Sequence, residues 1–335
     1  MLLWLLVGGG FMPSHKIVYN VLEVNLMILS ICFDPILENK YYVDKLLLKE
    51  ESLANKKIYN LSGNGLTTAR ILNNLNVDVF ASGFLGGQEG DYIFNKLKDM
   101  DIYNDFISIK DNSKSRVVIM QEDELLTSIT EESPRITRDE LGSFYQLYAK
   151  ILDRFSIISS QDNLPMGLPD DIYFDLISAA NKKDIKFILE AKGEHLKNGL
   201  NANPFMVKLV KEDLEEISNL ILDYETEIIK VGYSIVEQGV EVVAIDLGEK
   251  GSLVLTKEKG YRLEIDSSVG RIGQDKGYMV AGFAFGIYKK YDIDTVLKLS
   301  QASRLVYAIE DDLDRIDMSD IKSFMTKIDI YPINY

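Results

Sequence analysis

The sequence predicts an α/β fold in which a mostly parallel sheet is flanked by helices on both faces. A continuous apolar run at residues 27–33 is typical of a strand buried on both sides. From about residue 141 to residue 309, strand-like runs alternate with segments of helical spacing, as in parallel strands joined by helices. Two β-rich segments, at about 38–60 and 113–131, interrupt this rhythm. We interpret them as one small lid sheet.

The individual elements follow from local patterns. Short apolar or alternating runs predict strands at 27–33, 41–48, 57–59, 78–82, 116–120, 124–129, 156–159, 186–189, 205–209, 241–246, 252–256 and 260–265. Apolar residues at helical spacing predict helices at 66–75, 91–100, 141–152, 170–182, 211–220, 221–238, 278–290 and 294–309. The glycine-rich loop at 62–65 comes directly before the predicted helix at 66–75, and the one at 83–87 comes a few residues before the predicted helix at 91–100.

Composition limits the classes of partner. The chain has 335 residues, 46% apolar and 27% charged, which is the balance of a folded globular protein. The net charge of −15, from 37 basic and 52 acidic residues, argues against nucleic acid or an anionic membrane as the main partner, because both need a basic surface. A small phosphorylated ligand needs only a local cluster of donors and stays open.

The cysteine, the histidines and the N-terminal segment carry further expectations. Cys32 is the lone cysteine and has apolar neighbours, which favours a buried thiol in a reducing, cytoplasmic setting. His15 and His195 are far apart and no Cys/His spacing indicates zinc, so we assign no metal ligand. Residues 1–26 differ from the rest, with an apolar run too short to span a bilayer. We interpret them as an N-terminal extension or a start-site artefact before a single domain at 27–335.

The stretch 269–286 joins a predicted strand to a helix of small residues through Gly270, Gly273 and Gly277. Such a turn commonly binds anions, because glycine lets a phosphate approach the main chain and the first helical turn offers unpaired N–H groups. The alternative is an ordinary strand-to-helix turn whose glycines serve packing only. The turn alone does not decide between the two.

Seven short motifs resemble, in their order and spacing, the ribokinase-like, pfkB-type sugar kinases, and most closely the branch with 1-phosphofructokinase and tagatose-6-phosphate kinase. The similarity runs from about residue 27 to residue 327. The motifs are Phe33-Asp34-Pro35, SGNGLTTAR (62–70), GFLGG (83–87), LPMG (164–167), KGEHL (192–196), LGEKGSL (247–253) and MVAGF (279–283). The resemblance implies a ribokinase-like fold with a β lid and ATP- and Mg²⁺-dependent phosphoryl transfer to a sugar-phosphate hydroxyl. Lids of this fold sometimes pair, so a homodimer through the lid is also expected.

The resemblance also implies roles for individual positions. The expected substrate-binding residues are Asp34, Glu38, Gly63, Asn64, Gly65 and Arg116, and the expected nucleotide-binding residues are Lys208, Gly248, Gly251 and Gly273. Arg116 stands where the branch has an arginine for the substrate phosphate, and a guanidinium suits bidentate contact with phosphate.

The catalytic turn departs from the family pattern. Counting back from the MVAGF motif places the family's catalytic aspartate at Gly277, which has no side chain. The nearest carboxylate, Asp275, comes two positions earlier, and two residues at a helix start turn a side chain by about 200°. Asp275 is therefore a doubtful base that needs a rebuilt turn.

Other site positions have changed as well. The lysine of the substrate loop is replaced by Asn64, and further family residues are replaced at Asp34, Glu38, Thr67, Gln161, Asp162 and Val210. Loss of a catalytic base costs on the order of 10²–10⁴-fold in rate. Because the changes cluster where the chemistry would be while fold positions persist, they favour a relaxed or redirected function.

Three functions stay open from the sequence. The first is an active, divergent sugar-phosphate kinase with Asp275 as base and with Arg116, together with Lys208 or Lys276, on the phosphates. The second is a pseudo-kinase that binds a sugar phosphate or nucleotide, with a regulatory role. The third is other chemistry on the same fold, because a fold alone does not settle function.

Overall fold

The computed structural model describes residues 26–122, 124–161, 164–266, 277–309, 313 and 316–333. Its strands are β1 Met27–Cys32, β2 Ile36–Val43, β3 Ala54–Ser62, β4 Val79–Leu85, β5 Tyr103–Ser108, β6 Lys114–Gln121, β7 Glu124–Thr130, β8 Phe155–Gln161, β9 Lys186–Glu190, β10 Met206–Val210, β11 Val242–Asp246, β12 Ser252–Thr256, β13 Gly260–Ile265 and β14 Ile328–Ile333. Its helices are α1 Asn64–Asn74, α2 Gly87–Asp99, α3 Arg138–Ile151, α4 Ile172–Asn181, α5 Gly193–Leu200, α6 Lys211–Ser218, α7 Glu225–Gln238, α8 Tyr278–Tyr288, α9 Ile293–Ile309 and α10 Met318–Met325.

The main sheet has ten strands within these residues, in the order β14-β13-β12-β11-β10-β9-β8-β1-β4-β5. The strands from β11 to β5 pair in parallel, and β12, β13 and β14 continue the sheet in antiparallel fashion. The predicted α/β fold with a mostly parallel sheet is confirmed. The N-terminal extension expected at 1–26 lies outside the described residues, apart from residue 26.

Helices cover both faces of this sheet, as the buried strand β1 requires. Ile28 and Cys32 pack with α1, α2, α8, α9 and α10 on one face. Leu29 and Ile31 alternate with them and pack with α3, α4, α5, α6 and α7 on the other face. None of the helices in the described ranges is long and apolar enough to cross a membrane.

A second sheet, the lid sheet, has the order β3-β2-β6-β7. It combines two separate segments, 36–62 and 114–130, which match the two β-rich segments of the sequence. Strands β2 and β6 pair in parallel at the centre, and β3 and β7 pair in antiparallel fashion outside them.

Some element boundaries differ from the sequence prediction. Strand β2 starts at Ile36 rather than at residue 41, because Ile36 and Leu37 are buried and already pair with β6. Helix α7 starts at Glu225 rather than at residue 221, because α6 ends at Ser218 and the next residue, Asn219, has a left-handed conformation. Four elements were not predicted, namely β5, α5, α10 and β14.

Candidate ligand-binding cleft

A cleft of about 870 Å³ lies between the lid sheet and one end of the main sheet. Its main-sheet wall includes Glu190, Val210 and Asp246, which are the last residues of β9, β10 and β11. In open α/β sheets ligands bind outside the carboxyl ends of the strands, so this cleft is the expected place for a ligand. Its lid wall includes Lys114 and Arg116 from β6.

The fold gathers most of the sequence-predicted site residues at this cleft. Those that line it are Asp34, Gly63, Asn64, Arg116, Lys208 and Gly248. Glu38 contacts Arg116 beside the cleft. Two predicted glycines, Gly65 and Gly251, are instead packed beneath the cleft. A Cβ at Gly65 would lie 2.6 Å from the Ile31 carbonyl oxygen, and a Cβ at Gly251 would lie 2.0 Å from the Leu263 carbonyl oxygen. These two glycines permit close packing of the loops and do not reach the cleft wall.

At the end of the cleft under the lid, Lys114 holds Asp34. The Lys114 ammonium donates to Asp34 Oδ2 at 2.7 Å and to Ser133 Oγ at 2.9 Å, and the Ser133 hydroxyl donates to Asp34 Oδ2 at 2.9 Å. The Asp34 side chain is 4% exposed and that of Lys114 is 11% exposed. Sequence reasoning found Asp34 and missed Lys114, although Lys114 comes only two residues before Arg116.

Arg116 forms a second ion pair on the lid wall. Its Nη1 lies 3.5 Å from Glu38 Oε2, and its Nε donates to Thr130 Oγ1 at 3.1 Å. The Asn60 amide donates weakly to the same carboxylate, at 3.4 Å. Glu38 therefore holds the arginine on the lid wall, where its remaining N–H groups are available to an anion.

At the other end of the cleft, Arg304 from α9 binds the loop after β11. Its Nη1 forms an ion pair with Asp246 Oδ1 at 2.9 Å and donates to the Gly248 carbonyl oxygen at 3.0 Å. Asp246 Oδ1 also accepts the Gly248 N–H at 2.9 Å. The sequence analysis did not identify Arg304 as a site residue. The pattern that could have indicated it is a charged residue between the apolar positions Ala302 and Leu305 of a helix that faces the core.

Lys208 and Asp213 line the same end. The Lys208 ammonium donates to Glu190 Oε1 at 2.8 Å, and its side chain is 3% exposed. Burial raises the pKa of Asp213, although the hydrogen bond from the Val210 N–H and the nearby Lys192 and Lys208 oppose that rise. Because its carboxylate caps the first turn of α6, Asp213 supports the cleft wall and is not a free base.

Among the residues that the structure describes, the cleft wall is close to neutral in charge. Seven cationic side chains line it, namely Lys114, Arg116, Lys192, Lys208, Lys211, Lys250 and Arg304. Eight carboxylates line it as well, namely Asp34, Glu190, Glu212, Asp213, Asp223, Glu225, Asp246 and Glu249. An anionic ligand therefore meets cations that already hold carboxylates, among them the pairs formed by Lys114, Lys208 and Arg304.

Gly277, at the expected position of the catalytic aspartate, is buried against the loop at residues 62–65. It precedes α8 with φ 88° and ψ 4°, in the left-handed region. A Cβ there would lie 2.6 Å from the Asn64 carbonyl oxygen and 2.9 Å from both Gln161 Oε1 and Thr68 Oγ1. The fold thus brings Gly277 next to the loop at residues 62–65, but neighbouring atoms already fill the space that a side chain at Gly277 would need.

A short hydrogen-bond chain fills that space. The fully buried Gln161 amide donates to Thr68 Oγ1 at 2.7 Å, and the Thr68 hydroxyl donates to the Gly277 carbonyl oxygen at 3.0 Å. Gln161 Oε1 is buried and accepts no hydrogen bond from any residue in the described part of the chain. The remaining predicted residues of the catalytic turn, Gly273 and Asp275 among them, lie outside the described residues.

Comparisons with known proteins agree with this architecture. The model of the pfkB family of carbohydrate kinases matches residues 29–269. A candidate phosphofructokinase from Staphylococcus aureus superposes with a TM-score of 0.79 at 23% identity, covering 92% of this chain and 99% of that one. Escherichia coli phosphofructokinase-2 in complex with fructose-6-phosphate superposes with a TM-score of 0.79 at 20% identity, covering 90% of this chain and 98% of that one.

A candidate 1-phosphofructokinase from Thermotoga maritima gives a TM-score of 0.78 at 18% identity, covering 92% of this chain and 100% of that one. At these identities the solved structures establish the fold and not the reaction. The family match covers most of the chain and agrees with the cleft, the lid sheet and the order of the motifs. The chain belongs to the pfkB family of carbohydrate kinases.

Proposed function

We propose that this protein binds a hexose phosphate and a nucleotide in its cleft and has lost most of the phosphoryl-transfer activity expected of its family. The observation that carries the proposal is the closed space at Gly277. A general base must lie within hydrogen-bond reach of the proton that it removes. Gly277 has no such group, and Asn64, Gln161 and Thr68 occupy the volume that its side chain would need.

Binding is supported by the two ends of the cleft. Arg116 and Asp34 lie under the lid and suit a phosphate and a sugar hydroxyl, because one donates to oxygens and the other accepts from O–H groups. Lys192, Lys208 and the turn that begins at Gly248 line the opposite end and suit the phosphates of ATP. ATP would supply the transferable phosphoryl group when bound.

Mg²⁺ would depend largely on the nucleotide. Within the described ranges no three His, Cys, Asp or Glu side chains are grouped to hold a metal ion. Mg²⁺ commonly keeps several waters and is held by one or two carboxylates together with substrate phosphates. The cleft therefore fits a metal that arrives with ATP and has few protein ligands.

Ligand-induced stabilisation tests the proposal directly. A ligand that binds only the native state stabilises it by about 2.7 kcal/mol at a hundredfold excess over Kd. We expect fructose 6-phosphate, and separately ATP with Mg²⁺, to raise the melting temperature while coupled ADP release stays at background. If neither ligand shifts melting, the binding proposal is wrong. If ADP release reaches rates typical of kinases, the loss of activity is wrong.

The alternative, an active kinase with Asp275 as base, has its own test. Removing a true base costs on the order of 10²–10⁴-fold in rate. We expect Asp275→Asn to change any residual ADP release by less than about tenfold, because Asp275 comes two positions before the family's aspartate and two residues at a helix start turn a side chain by about 200°. A loss of more than a thousandfold, with unchanged binding of both ligands, would establish Asp275 as the base.

We also propose that two copies pair through the lid sheet. Leu125, Leu126 and Ile129 on β7 are 63%, 47% and 66% exposed. Thr130 contacts Arg116 at the cleft, so the preceding Ile129 points to the opposite face of the lid. Exposed apolar groups of this kind commonly mark interaction surfaces.

The pairing is tested by charge. We expect Ile129→Lys to convert a dimer into a monomer, measured by size-exclusion chromatography with light scattering. The exposed Leu220→Lys on the main domain serves as the control and should leave the mass unchanged. A monomeric wild-type protein, or an Ile129→Lys variant that stays dimeric, would contradict pairing through this face.

A further inference from the structure

The ion pair between Lys114 and Asp34 lies at the junction of the two sheets. Asp34 belongs to the short link from β1 to β2, Lys114 is the first residue of β6, and Ser133 follows β7. Three of the four chain segments that cross between the main sheet and the lid sheet thus meet at one ammonium group. The lysine is held in place by the main domain while it belongs to the lid.

Lys114 also shares a face of the lid with Arg116. Residues two apart in a strand point to the same side, and both of these line the cleft. Their Cα atoms are about 7 Å apart along the strand. A single phosphate, with oxygens on several sides, lies within reach of two such cations.

The pair is incompletely satisfied. Asp34 Oδ1 is buried and has no hydrogen-bond partner among the described residues, while Oδ2 accepts from both Lys114 and Ser133. A buried acceptor without a donor is costly, so a ligand hydroxyl placed there gains a strong hydrogen bond. The Lys114 ammonium has three donors and uses two of them on Asp34 and Ser133, which leaves one for a ligand oxygen.

We propose that Lys114 supplies the cation that the substrate loop lacks at Asn64, and that it binds the ligand's phosphate together with Arg116 while Asp34 Oδ1 accepts an adjacent hydroxyl. This inference rests on the proposed binding of a sugar phosphate and adds a residue that determines specificity. It selects a phosphorylated polyol, since a neutral sugar leaves both cations without an anion and inorganic phosphate brings no sugar hydroxyl to Asp34 Oδ1.

Calorimetric titration of the full chain with fructose 6-phosphate, fructose 1-phosphate, fructose and inorganic phosphate tests the assignment. We expect wild-type protein to bind at least one of the two sugar phosphates more tightly than fructose or phosphate. Lys114→Met should weaken that binding about 10- to 100-fold, the range for a hydrogen bond to a charged group. Lys114→Arg should retain most of it, because the charge stays.

Two controls separate binding from folding. Lys56→Met removes an exposed lid cation that lies over the Tyr42 ring, and it should leave affinity unchanged. The double variant Asp34→Asn with Lys114→Met leaves no unpaired buried charge and should be as weak a binder as Lys114→Met. If Lys114→Met or the double variant is folded and binds sugar phosphate like wild type, the role of Lys114 is wrong. If wild type binds neither sugar phosphate, the proposed function fails together with this inference.

Discussion

Replacing Arg304 with methionine will lower the free energy of unfolding by about 3–5 kcal/mol, the usual cost of removing one partner of a buried ion pair. Arg304 is 2% exposed and Asp246 is 7% exposed, so water cannot take over the role of the guanidinium. The same Nη1 also holds the Gly248 carbonyl oxygen. Its loss should loosen the expected nucleotide loop. Urea denaturation monitored by circular dichroism measures the effect.

We expect the loss of stability in Arg304→Met to come from the unpaired charge of Asp246 rather than from the change in side-chain volume. Asp246→Asn combined with Arg304→Met removes both charges and should recover more than half of the lost stability. Lys183→Met serves as the comparison, because Lys183 pairs with Asp153 at the surface and such pairs contribute about 0–1 kcal/mol. Equal losses for Arg304→Met and Lys183→Met would contradict a structural role for the buried pair.

Restoring the family's aspartate at Gly277 will destabilise the protein and will not restore phosphoryl transfer. A left-handed conformation costs a residue with a Cβ about 1–2 kcal/mol, and forcing atoms into a packed site costs about 1–3 kcal/mol more. The Cβ would meet the Asn64 carbonyl oxygen at 2.6 Å. The new carboxylate would also face Gln161 Oε1, which is an acceptor and offers it no proton.

Gly142→Asp is the matched control. Gly142 lies in α3 with no atom within 4 Å of its Cβ position, so the same substitution should be nearly neutral or stabilising. Thermal denaturation and coupled ADP release, measured on both variants, decide the outcome. A Gly277→Asp protein that melts like wild type and releases ADP in the presence of a sugar phosphate would show that only the side chain was missing.

The fold and the lid could be predicted because their signals are local. The apolar run at 27–33 and the alternation of strands and helices are short-range patterns, and they correspond to β1 and to the parallel sheet. The motif order placed Asp34, Gly63, Asn64 and Arg116 together, and all four line the cleft. Asp34 and Gly63 lie in the links beside β2 and β3, Asn64 begins α1, and Arg116 is the third residue of β6. The order of the motifs along the chain therefore corresponds to the order of the elements that carry them.

The ion pairs could not be predicted because their partners are distant in sequence. Lys114 lies 80 residues from Asp34, and Arg304 lies 56 residues from the Gly248 carbonyl that it binds. The closure around Gly277 combines Asn64, Gln161 and Gly277, which come from three separate parts of the chain. Whether a substituted residue leaves an empty space or one filled by neighbours depends on packing in three dimensions.

The assembly of the lid sheet from two segments has a consequence for the order of folding. Its central strands, β2 and β6, are separated along the chain by β3, α1, β4, α2 and β5. These five elements are synthesised before β6 can pair with β2. Contacts between such distant segments form slowly, because the intervening chain loses entropy before they are made. A polypeptide that has been synthesised only as far as β5 therefore has two of the four strands of the lid sheet and no cleft. The cleft is complete only later still, because Glu190, Val210 and Asp246 of its other wall end β9, β10 and β11, which follow β6 in the chain.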